Sequence, residues 1–493
     1  MLLKLAAGKS DSVRIRWRSM DIGTWESAAP HWRVFGEKIR FQFRDRNSPM
    51  TLWIDSIRPK TGGMNIFLSS PQSPVSEVLE VAWRETAPVS NLDSRWLWDA
   101  VSRWMHRKFP GHYPVSAVQR RDLAHTFSGS FLRVFFRHRG NDILLVAADE
   151  KAGDEIHLAI SQALLWLSAL SGKGRIRRIP IIYLFVPLES SAMLAHRCEH
   201  LNRNRIKAEV WGYAGESAND LEIRRAAAPP APEENKDYRW PVLGPFRWSS
   251  QFEQVLNLAP DLIRRYPRFQ DYDSLRLWGL EFAQVMGPER NRICFGVGAA
   301  RTELTENNFD RLRALVQEIV FYRRPDSPDI QHPYYRLQAE RWLEALILED
   351  VPRLFPELVP ESVYSQIPVY LGKSAGRIDI LGADRKGTLV VLELKVAADP
   401  DLPLQALDYW GRVIQHNKNG DFERRGYFSE IHLNRRSPKI FLVSPIFSFH
   451  DSTESLLRYL KPDLNIWKIS INNNWRCGVK IMRRIHYQCG DLK

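Results

Sequence analysis

The chain has 493 residues, beyond the roughly 250–300 at which one hydrophobic core stops growing, so more than one domain is expected. Hydrophobic residues make up 44% and charged residues 26%, which excludes wholesale disorder. With 70 Lys and Arg against 57 Asp and Glu the formal charge is +13, a balance that favours an acidic partner, nucleic acid first among them.

The four cysteines, Cys198, Cys294, Cys477 and Cys489, show neither C-x-x-C spacing nor the density of a disulfide scaffold, which fits a reducing cytosol and argues against structural zinc. The apolar stretch in MLLKLAAGKSDS is too short for a signal peptide, and runs such as IIYLFV at 181–186 fall short of a membrane span. A cytoplasmic chain with no membrane segment is expected.

Residues 1–85 alternate in period two, with Val13, Ile15 and Trp17 against Arg14, Arg16 and Arg18, then Ile39, Phe41 and Phe43 against Arg40, Gln42 and Arg44. This predicts a small antiparallel β domain with a basic face. Residues 86–222 read as an α/β domain, and 223–240, which contain AAAPPAPEENKDY, as a linker. Residues 241–330 carry an apparent strand at RICFGVG and a helix at FDRLRALVQEIVFYR but no chemistry that the sequence names. Residues 331–493 form the last domain.

The two α/β domains repeat one another. S-R-W-L from Ser94 matches E-R-W-L from Glu340, each opening an amphipathic helix that ends near F-P. NDILLVAAD matches TLVVLELK, Q-A-L-L-W from Gln162 matches Q-A-L-D-Y from Gln405, and RRIP-IIYLFVP matches RRSP-KIFLVSP. The interval from Ser94 to Ala147 equals that from Glu340 to Glu393, so the register holds without a gap.

In the second copy, G-R-I-D-I-L, the turn A-D-R-K-G and T-L-V-V-L-E-L-K read as a β-hairpin with Gly387 in the left-handed position. The midpoint between Asp379 and Glu393 falls inside that turn, so their side chains should face each other with Cβ atoms about 5 Å apart. Glu393 and Lys395 share one strand face with Leu389 and Val391, while Val390, Leu392 and Leu394 fill the other, which makes the strand central.

Two opposed carboxylates repel unless a hard divalent cation accepts oxygens from both; Mg²⁺ suits the pair, with Mn²⁺ as a substitute. Glu340 lies on the helix face of Leu343 and Ile347, a placement that suits a second-metal or water-bridged ligand, with Glu344, one turn on, as the rival for that role. Gln405 and Tyr409 share a face of the following helix and sit where they can hold the lysine, the water or a phosphate.

Residues from Glu340 through GRIDIL, LVVLELK and Q-A-L-D-Y resemble the NucS-type endonucleases of the PD-(D/E)XK superfamily, over roughly 335–415. The resemblance implies metal and catalytic roles for Glu340, Asp379, Glu393 and Lys395 and accessory roles for Gln405 and Tyr409. It implies DNA as partner, and DNA repair as one setting. Neither that family's N-terminal DNA-binding domain nor a sliding-clamp-binding tail is recognisable elsewhere in the chain, so its substrate specificity does not carry over.

The repeat register places Arg133 at the position of Asp379, Ala147 at Glu393 and Asp149 at Lys395, so the first copy has no acids for a cation and should be silent, with Arg133 as a phosphate contact. The expected architecture is therefore α/β, with duplicated restriction-endonuclease-like PD-(D/E)XK domains, the first degenerate, and a small N-terminal β domain. The expected protein is a metal-dependent DNA endonuclease, either a monomer with an internal pseudo-dimer or a homodimer. The rival is a non-catalytic DNA-binding scaffold that kept the fold.

Overall fold

The computed structural model describes residues 13–17, 20–24, 31–35, 38–45, 48–60, 63–70, 73–83, 95–110, 113–119, 127–215, 221–227, 249–267, 272–287, 291–371 and 374–487. The chain divides into two compact units, Met1–Arg121 with Leu132–Ile143, and Asp122–Phe131 with Leu144–Lys493. Among the described residues, no helix is long and apolar enough to cross a membrane.

The first unit holds an antiparallel sheet of β1 (Val13–Trp17), β2 (Met20–Thr24), β3 (His31–Phe35), β4 (Lys38–Asp45), β5 (Ser48–Lys60), β6 (Gly63–Ser70) and β7 (Ser73–Trp83), in the order β2-β1-β7-β6-β5-β4-β3. Alternation drives it: Phe41 and Phe43 are buried with Leu52, Met64, Ile66, Leu68, Leu79 and Val81, while Gln42 between them is exposed. The side chains of Val13, Ile15, Trp17, Arg14 and Arg16, and all of Arg18, lie outside the described residues. The amphipathic α1 (Arg95–Lys108) and the antiparallel pair β8 (Tyr113–Val118) and β9 (Phe131–His138) follow; Ser94 lies outside the described residues.

β10 (Asn141–Ala148) runs into the second unit, which continues with α2 (Ala159–Gly172), β11 (Ile181–Pro187), α3 (Leu188–Cys198), β12 (Lys207–Ala214) and β13 (Glu222–Arg225). β11 and β12 pair parallel, β12 and β13 antiparallel. The expected linker therefore begins later than residue 223, because Glu222–Arg225 is long enough to add an edge strand; residues 228–248 lie outside the described residues.

The segment without assigned chemistry is an antiparallel sheet, β14 (Ile263–Pro267), β15 (Tyr272–Leu277), β16 (Leu280–Met286), β17 (Arg292–Phe295) and β18 (Thr302–Glu303), flanked by α4 (Ser250–Leu256) and α5 (Phe309–Tyr322). Both the strand and the helix expected there are present.

Short α6 (Pro333–Arg336), α7 (Ala339–Glu349) and short α8 (Val351–Leu354) precede the last sheet. Its strands are β19 (Leu358–Leu371), β20 (Ser374–Asp384), β21 (Leu389–Leu394), β22 (Lys439–Pro445), β23 (Ile466–Ile471) and β24 (Ile481–Tyr487), ordered as numbered. α9 (Leu402–Asn419) and α10 (Asp421–Arg424) lie between β21 and β22, and α11 (Thr453–Leu457) between β22 and β23. β21 runs parallel to β22, and β22 to β23, while the outer pairs are antiparallel.

Interior β21 is covered on both faces, as its unbroken apolar run requires. Val390, Leu392 and Leu394 pack with Trp342, Leu343 and Ile347 of α7, and Leu389 and Val391 pack with Tyr409 and Val413 of α9.

From α1 the chain runs helix, three strands, helix, strand, helix, two strands; from α7, short helical turns aside, it runs the same series. Within the second unit, α2 packs against α11 and α3 against α9. Between these helices Leu201 and Leu460 form an antiparallel bridge, Lys461 N donates to His200 O at 3.0 Å, and Asn202 N donates to Tyr459 O at 2.8 Å. Leu201 and Leu460 stand equally far before β12 and β23, and a two-fold rotation exchanges the bridge's two hydrogen bonds.

His200 lies at this junction, its ring edge-on to Trp410 with centroids 5.4 Å apart. Burial, then the nearby His196 and Lys461, pull its pKa down to about 4. The fold thus holds the neutral ring, whose contribution is complete above the unfolded value of about 6.5 and is lost as the pH falls towards 4. A loss of about 3 kcal/mol is expected across that window. Urea unfolding of His200→Phe at pH 7 and pH 4.5 should show a much flatter dependence than wild type; parallel slopes would assign the acid sensitivity elsewhere.

Candidate active site

The site begins with the turn joining β20 to β21. Asp384 Oδ1 accepts from Lys386 N and Thr388 N, both at 2.9 Å, and Gly387 N donates to Asp384 O at 2.8 Å. Gly387 has φ +76°, and a Cβ there would stand 2.0 Å from His432 O, so only glycine fits.

This turn fixes the register Ile380↔Leu392 and Leu381↔Val391, which one step further sets Asp379 against Glu393. On the other side, Ser365 pairs with Ile380 and Ile367 with Ile378, so Gln366 faces Asp379. Gln366 is held at φ +58°, a conformation that costs a non-glycine residue about 1–3 kcal/mol. Gln366, Asp379 and Glu393 therefore form a row across three strands.

The row is nearly dry: Asp379 is 8% exposed and Glu393 2%. Asp379 Oδ2 accepts from Leu394 N at 2.9 Å, and its Oδ1 lies 3.4 Å from both Arg341 Nη1 and Gln366 Nε2. Lys395 Nζ, its side chain 19% exposed, reaches Glu393 Oε1 at 3.4 Å and Asp399 Oδ2 at 3.9 Å. Glu393 Oε2 and Gln366 Oε1 are buried without a hydrogen-bond partner.

Burial first, then the charge of Asp379, holds the Glu393 carboxyl well above the usual carboxylate range. Burial also raises Asp379, outweighing the opposing pull of Arg341, and Glu344 adds to the rise. Burial works against the Lys395 ammonium, but Glu393, Asp379 and Asp399 together hold its pKa above the ordinary value. Each carboxylate thus favours a proton or another cation over standing charged beside its neighbour.

Of the helix acids, Glu344 is the one joined to this network. It is 1% exposed and accepts from Arg341 and Gln366, both at 2.8 Å, and from Ser365 Oγ. Glu340, at the start of α7, is half-buried, and its charge acts on Arg476. Gln405 Nε2 donates to Tyr409 Oη at 3.3 Å on one face of α9, and burial with the nearby Glu393 charge raises the Tyr409 phenol. The structure thus brings Asp379, Glu393, Lys395 and Tyr409 into one field, with Gln405 hydrogen-bonded to the last.

Arg341, Ser365 and Gln366 were not read from the sequence. Gln366 was within reach, because the midpoint rule applied to the turn before β20 pairs it with Asp379. Several basic residues lie near the site in sequence: Arg385 and Lys386 belong to the turn at the far end of the hairpin, Arg412 is buried, and exposed Arg424 pairs with Asp421.

The segment holding β14–β18 supports the site from behind. Arg276, stacked 4.4 Å over Tyr266, extends to within 3.9 Å of Glu344. Buried Arg323 donates to the carbonyls of Trp278, Tyr334, Leu337 and Gln338, which fixes the entry into α7. Gly279, at the tip of the β15–β16 turn, has φ +77°, and a Cβ there would stand 1.9 Å from Arg341 O.

In the earlier α/β segment, Ala147 is buried and Asp149 caps the turn that follows β10, accepting from Lys151 N at 3.1 Å. Arg133 is buried, which removes it as a phosphate contact, because β9 is buried on both faces from Phe131 to Phe136.

The donor set fits a divalent cation in its chemistry: two opposed carboxylates of raised proton affinity, one with a buried, unpartnered oxygen. Among the described residues, no group of three or more His, Cys, Asp and Glu converges as a ready metal site; Glu344 is turned into the Arg341, Ser365 and Gln366 network instead.

No family model and no curated protein matches the chain. A solved structure described as a repair endonuclease from Pyrococcus abyssi is similar at 17% identity over 44% of this chain and 94% of that chain, with a TM-score of 0.17. A second, described as an EndoMS–double-stranded DNA complex, is similar at 12% identity over 47% of this chain and 92% of that one, with a TM-score of 0.14. Scores this low leave the case to the geometry above.

Proposed function

We propose that the chain is a divalent-metal-dependent DNA endonuclease whose active centre lies in residues 331–493, with residues 86–222 as a silent copy of the same PD-(D/E)XK fold serving as internal partner. The observation that carries this reading is the row of Asp379 and Glu393 at the end of an interior strand, both carboxyls raised and Lys395 beside them.

Asp379 and Glu393 would hold Mg²⁺, or Mn²⁺ in its place, with Glu344 or Glu340 completing the set from α7. The bound ion supplies Lewis acidity at a phosphate oxygen and acidifies a water. Leu394 N and the Arg341–Gln366 pair fix the Asp379 carboxylate, with Glu344 locking both donors in place. Lys395, kept charged by its carboxylate neighbours, orients the attacking water or steadies negative charge on the phosphate. Gln405 and Tyr409 present a protonated phenol on the Glu393 side.

The matching element order of the two copies and the two-fold exchange of hydrogen bonds about Leu201 and Leu460 support the internal pseudo-dimer. The net charge of +13 favours DNA over an uncharged substrate. One active centre cuts one strand at a time. With Mg²⁺ or Mn²⁺, dilute protein is expected to convert supercoiled plasmid first to the nicked circle; no cleavage with either ion removes the reading, and direct linearisation removes the single-centre part of it.

A further inference from the structure

One buried imidazole of the second unit plays no part in cleavage. His196 stands in the last turn of α3 and His200 one turn on; Glu199 N donates to His196 O and His200 N to Arg197 O, both at 3.1 Å, which continues the helical path. A four-residue step puts both rings on one face, the spacing of paired helical zinc ligands. His200 is 8% exposed, and its Nε2 is buried without a hydrogen-bond partner. His196 is half-buried and turns Nδ1 towards Glu199 Oε2, 3.7 Å away, which draws the proton to Nδ1 and leaves the Nε2 lone pair for an ion.

Both Nε2 atoms converge on Gly411 of α9. A Cβ built there would stand 3.5 Å from His196 Nε2 and 3.8 Å from His200 Nε2, the two nearest atoms it would meet. Those are ordinary contact distances, so alanine would fit, and in the interior of an 18-residue helix alanine is the more stable choice. Packing of α3 on α9 therefore does not call for glycine at 411, whereas room between two nitrogen lone pairs does. The ring centroids lie 5.2 Å apart, with the planes at 86°. Two metal–nitrogen bonds at a tetrahedral angle, each as long as zinc–imidazole bonds are, set imidazole centroids about 5 Å apart. Gly411 lies roughly 200° around α9 from Tyr409, which packs with Leu389 and Val391 of β21, so this place is distinct from the carboxylate row.

We infer that His196 and His200 hold one zinc-class transition-metal ion through their Nε2 atoms, in the gap left by Gly411. Imidazole nitrogen suits Zn²⁺, whereas Mg²⁺ and Mn²⁺ take oxygen, so the site and the carboxylate row select different ions. Among the described residues no third His, Cys, Asp or Glu converges there, so water completes the coordination from the side of half-buried His196. The ion satisfies the buried His200 nitrogen and clips the last turn of α3, from which Arg197 reaches Asp408 of α9.

The test dialyses full-length wild type, His196→Ala and Gly411→Ala against micromolar Zn²⁺ in millimolar Mg²⁺ and counts bound zinc per chain. Wild type is expected to hold one ion that both variants bind at least about tenfold more weakly. In chelator, Gly411→Ala is expected to melt at or above the wild-type temperature, since its helix loses a glycine. Equal zinc on wild type and His196→Ala, or on wild type and Gly411→Ala, overturns the site, as does wild type without zinc. A lower melting temperature for Gly411→Ala in chelator overturns it too, because the glycine would then serve packing. The outcome is independent of the nuclease reading, which rests on oxygen ligands that both variants leave in place.

Discussion

Glu393→Gln is expected to lower metal-dependent DNA cleavage by roughly 10²–10⁴-fold while DNA binding in Ca²⁺ persists and the metal-free protein gains stability. The loss follows from removing one of two carboxylates that would hold the ion. The gain follows from the same geometry: Glu393 is 2% exposed, faces Asp379 and has an oxygen without a partner, so its ionised form strains the resting fold. The amide has no such charge, and the gain should be of order 1 kcal/mol. Lys395→Ala should lose a similar factor in cleavage without that gain, because it leaves two acids with less positive charge nearby. Plasmid cleavage and thermal melting in chelator check both; a Glu393→Gln protein that cuts normally, or melts lower, contradicts the account.

Arg197→Ala is expected to cost about 3–5 kcal/mol of stability. The side chain is 5% exposed and reaches from α3 to α9. It meets Asp408 at 2.7 Å and Asp401 at 3.1 Å and donates to His157 O at 2.7 Å. Ser161 Oγ also donates to Asp401, at 2.6 Å. Burial works against the charge on Arg197, yet Asp401 and Asp408 together hold it firmly charged. Asp401 itself is raised, since burial, with Asp408 in the same sense, outweighs what Arg197 returns. Removing the arginine leaves two buried carboxylates facing each other. Denaturant unfolding measures the loss, and adding Asp401→Asn and Asp408→Leu to Arg197→Met should recover most of it. A loss below about 1 kcal/mol would mean that this cluster does not hold α3 to α9.

The hairpin was legible because its turn chemistry and two apolar faces fix one register: Gly387 sets the turn, and Leu389 to Leu394 admit only an interior strand. Period-two alternation likewise gave the N-terminal sheet, though not its seven strands, since residue pattern does not count hairpins. Choosing between Glu340 and Glu344 was beyond the pattern. Both lie on the inner arc of α7, and what separates them is where the helix meets the end of β20, set by Arg276, Arg323 and Gly279 from a segment that names no chemistry. The contact of α2 and α3 with α9 was illegible for a similar reason: Ser161, Arg197, Asp401 and Asp408 meet through tertiary packing, and nothing in their local sequence marks them.

The central claim is that Asp379 and Glu393 together take up one doubly charged cation. Calorimetric titration of Mn²⁺ into full-length wild type and into Asp379→Asn with Glu393→Gln tests it directly. Saturable uptake by wild type that is lost in the double variant is the predicted result; the same uptake in both proteins, or none in wild type with DNA present, contradicts it.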